Sequence, residues 1–108
     1  MTWVDFLASA SAPEDVLRIT KDYLATWDPF ELATLPPECK VPAYFVAPED
    51  VVNYAFTLVQ AHCGPDAENP VLYPMAKFFS EASRRVAVLM SEAASARAQN
   101  GETAGQGR

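Results

Sequence analysis

Glycine and histidine are scarce in this chain of 108 residues, which has four glycines and one histidine. Three of the glycines come after residue 100, so neither a G-x-G-x-x-G turn nor a P-loop is present to bind phosphate groups. A serine triad would have to use His62, and no Gly-x-Ser-x-Gly turn displays a nucleophile. These absences favour a protein that is not an enzyme, and we assign no catalytic residue.

Cysteine and histidine ligands for a metal are equally few, because Cys39, His62 and Cys63 are the whole set. A structural zinc site usually takes four ligands in paired spacing, and neighbouring residues of a helix point about 100° apart. The sequence therefore predicts neither a bound metal nor a cofactor.

Long apolar runs are missing as well, since none approaches the stretch of about 20 residues that crosses a bilayer. The first residues carry no basic cluster, and Asp5 interrupts the apolar residues there, which is not typical of a secretory signal. We expect a cytoplasmic protein that does not enter membranes. A reducing compartment would keep both cysteines as thiols.

Positive charge is in deficit, because the formal net charge is −6 and the pI is about 4.6. Such a balance disfavours the electrostatic binding on which proteins rely for DNA and RNA, so no nucleic-acid partner is expected. The acidic residues are concentrated before residue 71, and most basic residues follow it. The acidic part either attracts basic partners or simply keeps the protein soluble.

Helix signals, in contrast, recur along the chain, and half of the residues are apolar. Combinations of a cap residue, a proline and an acid occur at residues 11–14 and 28–31, and a proline followed by two acids occurs at 48–50. Strand signals are confined to residues 41–46, a short run that contains a proline. It is expected to be extended chain packed over the core, the alternative being an isolated edge strand.

The predicted fold is all-α, an irregular bundle of four main helices plus a short N-terminal helix, with one Pro-rich connector and a disordered C-terminal tail. The predicted helices span residues 3–8, 12–27, 29–35, 48–63 and 73–99, and the connector spans 36–47. Residues 1–99 are expected to form a single helical domain, and residues 100–108 the tail. The helix at 48–63 carries apolar residues on more than one face and is predicted to be the most buried.

Two sets of residues are candidates for binding a partner. Lys77, Arg84 and Arg85 form a basic cluster with Glu81 on the last predicted helix, where pairs at i,i+4 would also suit an ordinary solvated face. The second set is aromatic and either fills the core or lines a partly open groove. Its members are Trp27, Phe30, Tyr44 and Phe45.

These features favour a small acidic helical protein that acts as a non-enzymatic accessory or protein–protein interaction module. The partner is another protein or a second copy, the homodimer forming through the Ala-rich end of the last helix. Small bacterial regulatory proteins share these bulk properties. The alternative is a small-molecule-binding bundle or minor enzyme that uses a pocket between the 36–47 connector and the central helix. The polar groups available to that pocket are Asp28, Cys39, Tyr44, Tyr54 and His62.

Overall fold

The structure, a computed structural model, describes residues 2–42, 45–64 and 68–106, with side chains described as far as residue 97. Every regular element in these ranges is helical, which confirms the all-α prediction. The elements are α1 (Trp3–Ala8), α2 (Pro13–Ala25), α3 (Pro29–Leu32), a short 3-10 helix (Pro37–Cys39), α4 (Pro48–His62) and α5 (Leu72–Gln106). The helix predicted at 29–35 is a single turn, and the 3-10 helix is an addition within the connector.

Helices α2 and α4 begin with the same five residues, Ala-Pro-Glu-Asp-Val, at 12–16 and 47–51. The Asp15 carboxylate accepts two hydrogen bonds of 3.1 Å from the amides of the two residues before α2. Asp50 accepts two of 2.8 and 2.9 Å at the corresponding amides before α4. The proline in the first turn needs no amide partner, and the acid satisfies two amides that precede the helix. This repeated start was not recognised from the sequence, in which Ser11 was the expected cap.

Helices α4 and α5 share the largest contact between elements and run antiparallel. The ring centroids of His62, near the end of α4, and Tyr73, near the start of α5, are 5.1 Å apart. Those of Tyr54 and Phe79 are 4.8 Å apart, and these two rings are edge-on. Phe79 is fully buried, and Phe45 from the connector lies 6.1 Å from it. These rings form the centre of the core, as expected for a small bundle that is rich in aromatic residues.

Helices α1 and α2 cover a second side of α5 through aromatic contacts. Tyr23 of α2 stacks on Phe78 at 3.8 Å with an interplanar angle of 7°. Trp3 of α1 lies edge-on to Tyr23 at 5.4 Å and to Phe78 at 6.1 Å. Edge-on and stacked rings are the favoured arrangements of aromatic pairs, so this cluster holds α1 against the bundle.

Helix α5 is longer at both ends than predicted. It begins at Leu72 because the Asn69 side chain accepts hydrogen bonds from the amides of Val71 and Leu72, at 2.9 and 3.2 Å. It continues to Gln106, into the segment predicted as a disordered tail. Alanine has the highest helix propensity, and the helix passes through the alanine-rich segment of residues 93–98.

The far end of α5 extends beyond the rest of the bundle. The antiparallel ring contacts place the first residue of α4 level with about Val86. Residues 91–97 are accordingly all exposed, and the molecule measures 59 × 28 × 22 Å. Within the described part of the chain, none of the helices is both long enough and apolar enough to cross a membrane.

Candidate interaction surfaces

The three cations predicted to form one cluster have separate roles. Arg84 is exposed and pairs with Glu81 at 3.0 Å, an i,i+3 contact that takes the place of the predicted i,i+4 pairs of Glu81. Arg85 is half-buried and donates a hydrogen bond of 2.6 Å to the main-chain carbonyl of Ala10. Lys77 lies on the rim of a groove on the α1 side of α5. Lys77 therefore lies apart from Arg84 and Arg85, which line a depression beside α1 together with Glu81. That these cations bind a partner stays a prediction.

The four predicted aromatic residues also have different surroundings. Phe45 is buried and contacts the core rings, whereas Trp27 is half-buried and lies edge-on to Tyr23 at 6.2 Å. Phe30 on the single turn of α3 is 85% exposed. Tyr44 lies outside the described residues. The core interpretation thus holds for Phe45 and not for Phe30.

An exposed apolar stripe on α4 was not predicted. Val52, Phe56 and Val59 are 37%, 65% and 39% exposed, and their spacing of i, i+4 and i+7 places them on one face of the helix. No charged residue occurs between Asp50 and His62. The sequence signal was the presence of apolar residues on more than one face of this helix, from which it was predicted to be the most buried helix. The structure covers one face with α5, α2 and the 3-10 helix, and the face that carries the stripe is exposed to solvent.

This stripe continues into a groove between α4 and α5, which we call the α4–α5 groove. It encloses about 330 Å³. The α4 side of the groove is formed by Val52, Ala55, Phe56 and Val59, and the α5 side by Ser80, Ser83 and Arg84. The two serines are small, which leaves space beside the apolar residues. Arg84 is the one charged side chain among the described residues of this lining, and its surface ion pair with Glu81 is of a kind worth only about 0–1 kcal/mol.

A second groove, which we call the α1–α5 groove, lies beside the aromatic cluster and encloses about 420 Å³. Trp3, Tyr23, Tyr73 and Phe78 contribute its aromatic surface, and Lys77 stands on its rim. Thr2, Val4 and Pro74 also line it, and no acidic side chain of the described ranges takes part in it. Lys77 is exposed and makes no ion pair with any residue that the structure describes.

The pocket expected between the connector and the central helix is represented by a depression of about 250 Å³. Tyr54 lines it, together with Lys40 and Asp50. The Tyr54 hydroxyl donates a hydrogen bond of 2.5 Å to the Cys39 carbonyl, and burial raises the pKa of Tyr54. Its proton is therefore held on the phenol at neutral pH, and Tyr54 is unsuited to general acid–base chemistry there.

Of the other polar groups proposed for that pocket, Asp28 and His62 lie elsewhere, Cys39 lies next to Tyr54, and Tyr44 is outside the described residues. Asp28 caps α3 by accepting a hydrogen bond of 2.8 Å from the Phe30 amide, and His62 contacts Tyr73. Cys39 is fully buried, whereas Cys63 is exposed just after α4. In the residues with described positions, no three histidine, cysteine or acidic side chains come together as metal ligands.

The chain was compared with protein-family models, with curated proteins and with solved structures, and none of the three comparisons finds a match.

Proposed function

We propose that this protein is a non-enzymatic interaction module that binds an amphipathic helix of another protein in the α4–α5 groove. The observation that carries the proposal is the exposed stripe of Val52, Phe56 and Val59 on a helix face without a charged residue. Scattered apolar residues are normal on protein surfaces, but a contiguous apolar face beside a groove is typical of binding sites.

A helix is the occupant that suits this surface best. The groove lies between two antiparallel helices, and a third helix can pack its side-chain ridges there as helices do within bundles. An amphipathic helix placed in an apolar groove is a recurrent mode of peptide recognition, with anchors at i, i+3 or i+4, and i+7. The exposed residues of α4 have this same spacing, so facing helices would present matching apolar rows.

Charge complementarity indicates what else the partner helix carries. Arg84 lies at the edge of the apolar groove, and the partner gains a charge-assisted hydrogen bond if an acidic residue flanks its apolar anchors. The existing ion pair with Glu81 is exposed, so exchanging it costs little. Of the three predicted cations, Arg84 alone takes part in this proposal.

Site-specific photo-crosslinking tests the proposal in the source cells. A benzoylphenylalanine is placed at Phe56 in the full chain and, as a matched control, at Phe30, which is more exposed and lies on α3. We expect a discrete adduct with another protein from position 56 and not from position 30. Identical adducts from both positions, no adduct from position 56, or an adduct only with a second copy of the chain would each overturn the proposal.

A synthetic peptide of the crosslinked partner segment then tests the binding mode. We expect the peptide to gain helical circular dichroism on binding the purified protein. Phe56→Asp should weaken binding about tenfold or more, because it places a charge in the apolar contact, and Arg84→Glu should weaken it about fivefold. Phe30→Asp should have no effect. A peptide that binds without becoming helical, or equal binding to all variants, contradicts the proposal.

A further inference from the structure

We infer that the α1–α5 groove binds a small aromatic carboxylate, at a site separate from the α4–α5 groove. Three properties of this groove support the inference, namely the order of its aromatic side chains, its size and the presence of Lys77 in its lining.

The aromatic side of the groove is held in place before any ligand arrives. Tyr23 and Phe78 are stacked at 3.8 Å, and Trp3 closes edge-on against both. Tyr23 and Phe78 are buried, while Tyr73 on the rim is 53% exposed. Because these rings are already packed, a flat ligand loses little free energy to ordering of the protein when it binds.

The position of α1 depends on contacts at both of its ends. At the start, the Thr2 side chain accepts a hydrogen bond from the Asp5 amide, and Asp5 accepts one from the Thr2 amide at 2.9 Å. After the end, Arg85 of α5 binds the carbonyl of Ala10. The capping bonds define where α1 begins, whereas the Arg85 contact and the edge-on contact of Trp3 with Phe78 hold α1 next to α5.

The size of the groove matches a small molecule. The groove is open to solvent, and its volume of about 420 Å³ lies within the range of about 300–1,000 Å³ that is usual for ligand sites. A molecule of two fused rings fits such a space. Aromatic rings prefer aromatic surroundings, with stacked or edge-on contacts worth about 0.5–1.5 kcal/mol beyond their burial.

The charge at the rim specifies an anionic group. Among the residues that the structure describes, Lys77 is the one charged side chain in the lining, and no described carboxylate pairs with it. Glu81, one turn further along α5, is engaged by Arg84. A carboxylate attached to the ring system would lie next to Lys77 while the rings contact Trp3 and Tyr73.

The test uses 2-naphthoate and its neutral counterpart 2-naphthamide as probes. Binding to the purified full chain is measured by calorimetry and by the NMR shifts of the tryptophan indoles. We expect 2-naphthoate to bind more tightly than 2-naphthamide and to shift the Trp3 indole resonance. Lys77→Gln should lower the affinity for 2-naphthoate about fivefold and leave that for 2-naphthamide unchanged. Lys21→Gln, an exposed lysine of α2 outside the groove, should change neither affinity.

A second pair of variants separates this groove from general apolar adsorption. Tyr73→Ala should weaken both probes because it removes an aromatic contact, and Phe56→Ala, on the α4 stripe, should weaken neither. Equal affinities for the two probes, an unshifted Trp3 indole, or equal effects of the Lys77 and Lys21 substitutions would overturn the inference. None of these outcomes bears on the α4–α5 groove, so the two proposals succeed or fail separately.

Discussion

The guanidinium of Arg85 donates a hydrogen bond of 2.6 Å to the main-chain carbonyl of Ala10, a residue 75 positions earlier in the chain. Ala10 follows the C-terminal end of α1 and is itself buried. Carbonyl groups near a helix end lack partners within the helix and carry partial negative charge, so a cation is a favourable donor to them. The contact connects the segment between α1 and α2 to α5.

This contact leads to a stability prediction. Arg85→Ala should reduce the free energy of unfolding by about 1–2 kcal/mol, because a charge-assisted hydrogen bond is lost and a carbonyl is left without its donor. Arg84→Ala removes the same kind of side chain from an exposed ion pair, and it should change the free energy of unfolding by less than about 1 kcal/mol. Urea denaturation measures both variants. Equal effects would contradict the tethering role of Arg85.

The central position of Phe79 predicts a large effect of truncation. Phe79→Ala should cost about 3–5 kcal/mol, because it leaves a cavity among rings that cannot fully close it. Since that loss approaches the whole stability of many domains, Phe79→Leu is the more tractable variant, with an expected cost of about 1–2 kcal/mol. Phe56→Leu provides the matched control because Phe56 is 65% exposed. Similar denaturation midpoints for both leucine variants would show that Phe79 is not central.

The buried hydroxyl of Tyr54 predicts that the stability of the fold decreases at alkaline pH. Burial raises its pKa above the ordinary value of 10.0, so the folded state resists ionisation more than the unfolded state does. The contribution of Tyr54 to stability is therefore complete below pH 10 and is lost as the pH rises above it. Tyr54→Phe should cost about 1–2 kcal/mol at neutral pH, because the Cys39 carbonyl loses its donor.

The measurement that checks this prediction compares the stability of Tyr54→Phe and of the original chain at two pH values. Denaturation at neutral pH and above pH 10 should show a smaller difference between Tyr54→Phe and the original chain at the higher pH. A difference that stays constant across this range would contradict the assignment to the phenol.

The aspartates at the starts of α2 and α4 predict that the stability of the fold decreases at acid pH. Amide hydrogen bonds lower the pKa of Asp50 below its ordinary value of 3.8, so the charged form is favoured in the folded state. Its contribution is present above pH 3.8 and is lost as the pH falls through the lowered pKa. Asp50→Asn should therefore lower the Tm at neutral pH, and the difference should disappear in strong acid. Asp22→Asn on the exposed face of α2 removes the same charge and should leave the Tm nearly unchanged.

The exposed end of α5 provides a test of self-association. Ala93 and Ala94 are exposed beyond the part of α5 that the other helices cover. If this end forms a homodimer, Ala94→Glu should lower the mass measured by light scattering, because a charge enters a close helix contact. A monomer mass for the unmodified chain would end the idea.

Local sequence alone was sufficient to predict most of the secondary structure. Prolines followed by acids marked the starts of α2, α3 and α4, because these residues satisfy or dispense with the amides of a first turn. Helical spacing of apolar residues identified α5, and the scarcity of strand signals excluded a sheet. These features act within a few residues of one another, so they can be recognised without knowledge of the tertiary structure.

The surfaces depended on contacts between distant residues. The sequence shows that α4 has apolar residues on two faces, but only the packing against α5 and α2 decided that Phe56 faces solvent while Leu58 is buried. Likewise, the sequence of α5 places three cations on one polar side of that helix. The packing of α1 and the segment after it against α5 decided that Arg85 binds a main-chain carbonyl while Lys77 stays exposed. Helical periodicity specifies which residues share a face, and the tertiary arrangement specifies what each face meets.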